Sequence, residues 1–566
     1  MMRWQGKKPL YTRDELNKIY KNMFTAQQRW LDQWKKIRDY INPYIGFFEG
    51  ENPNDGNRSD DRMINTAPLM ANNIQAAGMQ DGMTSPFRPW FKTTVDGIDE
   101  NDNDAGQWCD LTTEILLDIF ARSNFYDSAI QFYKELGAPC TAVMWVDEDP
   151  EHVVWYRTFT IGEYAIGTTR HDKIDRFARR IQFTSKDMID NFGEDNCPDT
   201  IKQTVIENKN YDTYEEVKHL IIPNPNYNPK SAVYWAKKFI SLYWTEKAPA
   251  DDYLKIEGFD EFPMAVSRWD TKGADIYGRG PGWYALSLSM SLQELEMDIR
   301  DGIARGVRPS VIAPVEMLER GGINSLPDGV NYYPRSEGAQ PIQALYQVQL
   351  QLQEAEAKKQ QIIQDINQHF FVDLFRMLEG MENTGQITAR EIIERVQEKM
   401  SQIGPVLNRL QHEFLQPVIE RTFNIALRNG IIPPPPDSIQ GMNLKIEYVS
   451  NMAQAQKMQG LTAIQEGVQF ATEMAEAFPD TLDIINGDET LKAYLKMLGT
   501  PAATINSQDQ INQVRQAKQK QMQMQQAAQM GTAAAQGAKT LSDTPLGNGS
   551  ALDAIMPGLG GFQGAG

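Results

Sequence analysis

The chain has 566 residues, material for about three to four domains, and with 41% hydrophobic and 23% charged residues it has the make-up expected of a soluble globular protein. No apolar run reaches the ~18–20 residues of a membrane span, and the basic opening MMRWQGKKPLYTRDE lacks the apolar stretch of a secretory signal. A formal net charge of −19 argues against a tight grip on nucleic acid, which needs a basic face to neutralise phosphates. Cys109, Cys140 and Cys197 are odd in number and far apart. They fit a reducing compartment, read as isolated structural thiols, and have no metal-ligand spacing.

In chain order, residues 12–42 read as a helix. Thr12 and Glu15 have the capping-box spacing, and Trp30, Trp34, Ile37 and Ile41 recur as the apolar stripe of a helix against a core. Asn42-Pro43 closes it. A polar loop, 48–61, leads to a second helix at about 64–83 and then to the extended SPFRPWFKTTV, anchored by Trp90 and Phe91. Residues 107–136 read as helix. TAVMWVDEDPEHVVWYRTF reads as a β-hairpin turning at Asp147–Glu151. Short strands follow in FTIGEYAIGTT and DKIDRFARRIQFT, then helix over 185–217 and a strand pair over 217–246. The first 280 residues are therefore expected to be mixed α+β.

From 284 the pattern turns mostly helical. Ile362, Ile366, Phe370, Leu374 and Leu378 step by four, a stripe for a neighbouring helix. EGMENTGQ (379–386) interrupts it. Thr388 and Glu391 open another helical pattern that runs to about 429, with Pro405 and Pro417 expected to kink or break it. Gly430 ends it, IIPPPPD is a stiff linker, NLKIEYVS reads as a strand, and 452–500 reads as helix. Past about 505 the composition shifts. QINQVRQAKQKQMQMQQAAQM suits a polar helix, and the Gly/Ala/Ser-rich 531–566 is expected to be largely disordered.

Searches for chemistry return little. There is no G-x-x-x-x-G-K-[ST] phosphate loop and no H-E-x-x-H. Gly278, Gly280 and Gly282 in YGRGPG superficially suggest a phosphate cradle, but Pro281 removes an amide and no βαβ unit follows, so a tight turn into a helix is the better reading. Asp147, Glu148, Asp149, Glu151 and His152 form the densest acidic cluster; hard cations favour such oxygens, yet a solvated hairpin turn explains them as well. His171, His219, His369 and His412 are scattered. No nucleophile, base and orienter can be grouped, so no catalytic residue, metal or cofactor is expected.

The segment FPMAVSRWDTKGADIYGRGPGWYAL leads into the helical SLSMSLQELEMDIRDGIARG. A turn-rich insert, RPSVIAPVEMLERGGINSLPDGVNYYPRSEGAQP, separates it from the helical IQALYQVQLQLQEAEAKKQQIIQDINQHFF. Two helices joined by a compact tip suit a ring-forming channel protein better than an active site. These residues resemble the head-to-tail connector, or portal, proteins of short-tailed bacteriophages. So do MINTAPLMANNIQAAGMQDGMTSPFRPWF, FTIGEYAIGTTRHDKIDRFARRIQFTSKDMIDNFG and TAREI…GPVLNRLQHEFLQPVIERTFNIALRNGIIPPPP, in order, across about 60–500.

The resemblance implies a helix-rich α+β portal fold. Its parts would be an α+β wing (1–282), a first stem helix (283–305), a small α/β clip (306–342), and a second stem helix with its extension (343–378). A tunnel loop (379–386), a long kinked helix returning to the wing (387–450), a helical crown (451–504) and a largely disordered tail (505–566) would follow. It implies a non-enzymatic dodecameric ring at one capsid vertex of the virion, assembled in the bacterial cytoplasm without a membrane. Double-stranded DNA would pass through it at packaging and ejection, without sequence specificity. The partners implied are the terminase large subunit, tail adaptor proteins, and the major capsid and scaffolding proteins. Arg300, Arg305, Lys358 and Lys359 are the candidate DNA-channel residues, with Glu294, Glu296, Glu354 and Glu356 as alternative partners for their charges. Glu379, Gly380, Glu382, Asn383 and Gly385 would form the tunnel loop. Arg308, Glu316, Glu319, Arg320, Arg335 and Glu337 would form the clip's docking face. The acidic net charge is compatible with a conduit through which DNA slides. A virion structural or scaffold protein without a channel, and a metal-dependent nuclease built on the acidic hairpin, are the competing readings.

Overall fold

A computed structural model describes residues 11–51, 62–95, 103–231, 233–249, 252–307, 311–312, 343–344, 352–380, 402–441 and 444–450, with short stretches beyond. The chain divides into Met1–Gly460 and Leu461–Gly566. The second unit has described helical stretches at 467–475 and 513–524 and a two-residue strand pair, Pro545–Leu546 with Gly549–Ser550. The first of these helices lies in the span read as helix, the second in the glutamine-rich run. The strand pair lies where disorder was expected; the rest of 531–566 is outside the described residues.

The first unit begins with helix α1 (Arg13–Tyr40). Thr12 caps it: the Glu15 amide donates to Thr12 Oγ1 at 3.3 Å, and the Thr12 amide donates to Glu15 Oε2 at 2.8 Å. Helix α2 (Ala67–Met83) and strand β1 (Phe91–Val95) follow, then α3 (Asn103–Arg122) and α4 (Phe125–Gly137). The single helix expected over 107–136 is thus two. Asn124 makes the break because its side-chain amide accepts from the Tyr156 amide at 2.9 Å and donates to the Tyr156 carbonyl at 2.6 Å, pairs that a continuing helix could not aim.

Strands β2 (Thr141–Asp149) and β3 (Val153–Phe159) form the expected hairpin, with β2 extending to Asp149 rather than turning at Asp147. Strands β4 (Tyr164–Thr168) and β5 (Ile174–Thr184) come next. The helix expected over 185–217 is shorter: α5 (Ser185–Phe192) ends at Gly193, whose φ is +82°, and α6 (Asp199–Lys202) leads into a π-turn that stops at Glu207. Strands β6 (Tyr214–Pro223), β7 (Phe239–Trp244), β8 (Lys255–Phe259) and β9 (Met264–Arg268) complete the sheets. Strands β4 to β8 form an antiparallel meander, and β2 lies between β3 and β9.

Alternation along the meander sends side chains to two cores. Ala178, Leu220 and Leu242 pack with Leu16, Tyr20 and Met23 of α1. Phe177 and Ile221 pack with Trp34, Ile37 and Ile41 of the same helix. Strand β2 is buried on both faces from Thr141 to Val146. Val143 and Trp145 point into the α1 core, and Ala142, Met144 and Val146 into a second core with α2, α3 and α4. That explains why its sequence is an unbroken apolar run rather than an alternating one.

Helix α7 (Pro281–Val307), strands β10 (Val311–Ile312) and β11 (Gln343–Ala344), and helices α8 (Leu352–His369) and α9 (Val372–Gly380) follow. The second long helix is described from Leu352, and Gln343–Ala344, expected to open it, are strand instead. The stripe that steps by four is also split: Phe371 takes φ +56°, so Ile362, Ile366 and Phe370 enter the α1 core while Leu374 enters the other. Helix α10 (residues 402–410), a π-turn (Gln411–Leu415) and α11 (Gln416–Arg428) run on without a break. Pro417 does not interrupt them because the widened turn absorbs the lost amide: Gln416 bonds back to Gln411, and the Tyr448 hydroxyl donates to the same carbonyl at 3.2 Å. Gly430, at φ +70°, closes α11 in a Schellman arrangement, with Ile431 N to Ala426 O at 3.0 Å and Gly430 N to Leu427 O at 3.1 Å. Strand β12 (Leu444–Tyr448) pairs antiparallel with β1, Phe91 opposite Tyr448.

Cys109, Cys140 and Cys197 are buried and unbridged, and burial raises each thiol pKa. Glu135 is also buried. It accepts from Thr160 Oγ1 at 2.5 Å and from the Ile161 amide at 3.2 Å, while burial pushes its carboxyl up to about 8. A folded-state pKa raised above the ordinary 4.5 means that the native protein holds a proton the unfolded chain releases. Stability is then full below about pH 4.5 and falls as pH rises towards 8, at most about 1.4 kcal/mol per unit. Glu135→Gln is expected to leave stability near wild type at pH 5 and to raise it at pH 8.5, in urea melts at both pH values. His219 has the opposite sign: buried and accepting from Arg179 Nε at 3.0 Å, it is held well below its ordinary pKa, so stability should also fall below about pH 6.5.

A Cβ on Gly282 would lie 2.0 Å from the Ala138 carbonyl oxygen. Gly282→Ala is therefore expected to destabilise the fold by about 1–3 kcal/mol, read as a lower urea midpoint.

Candidate functional site

The paired helices α7 and α8 are the most distinctive element that the sequence singled out, and their placement begins in the segment before them. The Trp269 amide donates to Cys140 O at 3.0 Å, the Gly278 amide to Thr141 Oγ1 at 2.8 Å, and the Arg279 amide to Asp270 O at 2.8 Å. The glycines of YGRGPG are needed for close approach, not for phosphate. A Cβ on Gly278 would lie 2.1 Å from Cys140 O, and one on Gly280 2.5 Å from the Trp269 ring. Arg268 is fixed from the other side: its guanidinium meets Glu413 at 2.6 Å, and its amide donates to the same carboxylate at 3.0 Å.

Aromatic packing completes the mount. Tyr277 meets Trp34 edge-on at 4.9 Å and Trp283 meets Trp30 edge-on at 5.3 Å. The Arg279 guanidinium lies over Trp30 and Trp283 at 4.9 and 5.0 Å and pairs with Asp275 at 3.1 Å. Trp30, Tyr277, Trp283, Arg279 and Arg29 line a cleft of about 720 Å³ beside α1.

Helix α7 is also clamped at its middle. Gln293 Oε1 accepts from the amides of Ile64 and Asn65, both at 2.7 Å, and Gln293 Nε2 donates to Asn65 O at 2.9 Å. Asn65 then donates to Glu296 Oε1 at 2.7 Å. Sequence reasoning missed this clamp, since nothing local marks an interior Gln as the partner of a loop 228 residues away.

The two helices run antiparallel. Contacts step outward together: Tyr284 with His369, ring centroids 6.3 Å apart, then Glu296 with Lys359 at 3.5 Å, then Val311 paired with Ala344 in the strand ladder. Leu292, Ile362 and Ile366 are buried at the base of the pair. The strand pair β10–β11 brings together the ends of the insert whose residues 313–342 lie outside the described residues.

The expected channel residues divide. Lys359 is committed within the chain, to Glu296 at 3.5 Å and to Glu356 at 2.6 Å, and the Glu356 bond raises its pKa. Lys358 is exposed and donates to Gln361 at 3.4 Å. Arg300 is exposed, 4.0 Å from Asp301. Arg305 lies in the last turns of α7. Of the expected tunnel loop, Glu379 and Gly380 belong to the end of α9, not to a loop. Glu382, Asn383 and Gly385 lie outside the described residues, as do Arg308, Glu316, Glu319, Arg320, Arg335 and Glu337.

The acidic hairpin cluster is used locally. Asp149 accepts from the Glu151 and His152 amides at 3.2 and 2.7 Å, and Glu148 accepts from Asn429 at 3.1 Å. Among the described residues no three His, Cys, Asp or Glu side chains group to hold a metal ion, and no helix among them is long and apolar enough to cross a membrane.

Comparison with known proteins bears on the whole chain. The family model for the bacteriophage head to tail connecting protein matches residues 13–505. A portal protein of Salmonella phage epsilon15 is 35% identical over 551 residues, 97% of this chain and 98% of its own length. A probable portal protein of Bordetella phage BPP-1 is 32% identical over 518 residues, 91% of this chain and 92% of its own. Among solved structures, a chain from the neck of an empty GTA particle computed with C6 symmetry aligns at 10% identity and a TM-score of 0.29, over 75% of this chain and 93% of that one. The near-complete match at the sequence level, over a mixed helix-and-sheet fold, shows that the chain belongs to the bacteriophage head-to-tail connecting protein family, the phage portal proteins.

Proposed function

We propose that twelve copies of this portal chain close into a ring at one capsid vertex, with the α7–α8 hairpins as the wall of a channel for DNA packaging and ejection. What carries the reading is the full-length likeness to portal proteins combined with a helical hairpin fixed to its body at three places. A wall of this kind acts mechanically, and a portal needs no bond made or broken. In this reading 1–282 is the wing, 283–305 and 343–378 the stem and its extension, and 306–342 the clip. Residues 379–386 narrow the bore, 387–450 return to the wing, 451–504 form the crown, and 505–566 are a tail. The ring is assembled in the bacterial cytoplasm with scaffolding and major capsid proteins, and becomes part of the virion.

Charge fits the role. Double-stranded DNA has one negative charge per about 1.7 Å, and a chain of net charge −19 does not hold it. Arg300, Arg305 and Lys358 would give sparse, sequence-blind phosphate contacts, while Lys359 keeps the two helices together. The clip, with Arg308, Arg320 and Arg335 beside Glu316, Glu319 and Glu337, has both signs of charge, which suits a ring contact between two different surfaces. It would dock the terminase large subunit and later the tail adaptors.

Class averages of the purified protein, viewed down the particle axis by electron microscopy, are expected to show twelve-fold rings with an open centre; compact particles of another symmetry without a channel would refute the reading. Deleting 310–338 is expected to abolish motor docking or ring closure, and normal packaging by that deletant would refute the clip assignment.

A further inference from the structure

One large apolar side chain of the first unit is held out in water. Phe87 is 91% exposed, more than any other large apolar residue among those described. It is also held in position. Pro86 shares a turn with it and fixes the backbone there, and Pro89 follows two residues on. The Phe87 amide donates to Ser85 Oγ at 3.5 Å, and the Ser85 hydroxyl donates to Asp81 Oδ1 at 3.2 Å. Scattered exposed apolar residues are ordinary, but an aromatic ring on a turn stiffened by prolines is a preorganised knob, with little freedom left to lose on binding.

The same unit has a concave partner for it. In the cleft beside α1, Trp30, Ile276 and Trp283 are half-buried walls, and the exposed Ala26 and Ala274 leave the entrance low. Knob and cleft do not meet within the chain, as the exposure of Phe87 shows. The knob leads into Trp90 and Phe91 of the core with α3 and α4, whereas Trp34 and Tyr277 back the cleft in the α1 core.

We infer that Phe87 of one copy seats in the Trp30–Trp283 cleft of the next copy around the ring. The inference rests on the ring reading above and adds which surfaces meet. A closed ring made by rotation needs two different, complementary patches on every chain, and a knob and a cleft on one chain meet that need. Burying an aromatic side chain removes roughly 150–250 Å² from water, and aromatic pairs favour edge-to-face contact. The charges match as well. Asp81 and Arg88 stand beside the knob, 3.9 Å apart and partly exposed. Arg29 and the Arg279–Asp275 pair stand at the cleft. Both sides have both signs, so Asp81 meets Arg29 and Arg88 meets Asp275.

The test compares the purified full-length chain with Phe87→Ser, which removes the knob, and Ala26→Trp, which fills the cleft. Both positions are exposed, and urea midpoints are expected at the wild-type value. In sedimentation velocity each variant is expected to need at least tenfold more protein to form rings. Rings at the wild-type concentration from either variant overturn the inference. An equal mixture of the two is expected to form dimers where each alone is monomeric, because one copy keeps its cleft and the other its knob; a mixture that stays monomeric overturns it. Should a variant misfold or the wild-type chain not assemble in isolation, phage particles with Arg88→Cys and Ala274→Cys in this chain provide a second readout, since the three native thiols are buried. A short bis-maleimide is expected to give a ladder of linked copies that neither single cysteine gives. Links confined to one chain, links to another protein, or no ladder overturn the inference while twelve-fold rings still support the portal reading. Wild-type particles of another symmetry without a channel refute that reading itself.

Discussion

The close approach of two backbones, at Ala138–Cys140 and Gly278–Gly282, sets the rest of the structure. The first stretch links α4 to the central strand of the three-stranded sheet, and the second starts α7. Side chains at Gly278 or Gly282 would collide with the Cys140 and Ala138 carbonyls, so only glycine allows the contact. Because β2 is buried on both faces between two helical cores, its N-terminus is among the most constrained points of the fold. A helix launched there inherits that constraint. Burial makes displacement costly, since shifting the strand would open cavities in two cores at once.

Around this contact the chain places polar bonds that span long sequence distances. Arg268 is tied to Glu413, Gln293 to the loop before α2, and β1 to β12. Each draws on a buried or half-buried group whose loss would leave its partner unsatisfied, which costs more than the bond's net worth. The π-turn at Gln411–Leu415 belongs to the same set. It widens the helix where Pro417 would otherwise disrupt it and lies where Glu413 reaches Arg268. Two of these ties, Arg268 to Glu413 and Gln293 to Asn65, hold the approach to α7 and its middle to the body of the first unit.

Local rules reached far into this fold. The capping box at Thr12, the hairpin at 141–159, the helix leading from Pro281 and the strand at 444–448 were all legible, because each rests on spacing within a few residues. The failures share one cause. Asn124 splits a helix because of Tyr156 in β3, Phe371 splits a stripe because its two halves belong to different cores, and Pro417 is tolerated because the preceding turn widens. Each was decided by a partner beyond the reach of local pattern.

The sequence by itself determined the family, much of the order of helices and strands, and the pair of long helices, since motifs in order and hydrophobic periodicity are properties of the chain alone. It also listed the charges of that hairpin. Which of them are free was decided only by tertiary structure. Lys358 and Lys359 are neighbours of the same type, yet one is exposed and the other is bound between Glu296 and Glu356. The difference arises because adjacent residues point about 100° apart on a helix, and only the position of α7 determines which of the two directions meets a carboxylate.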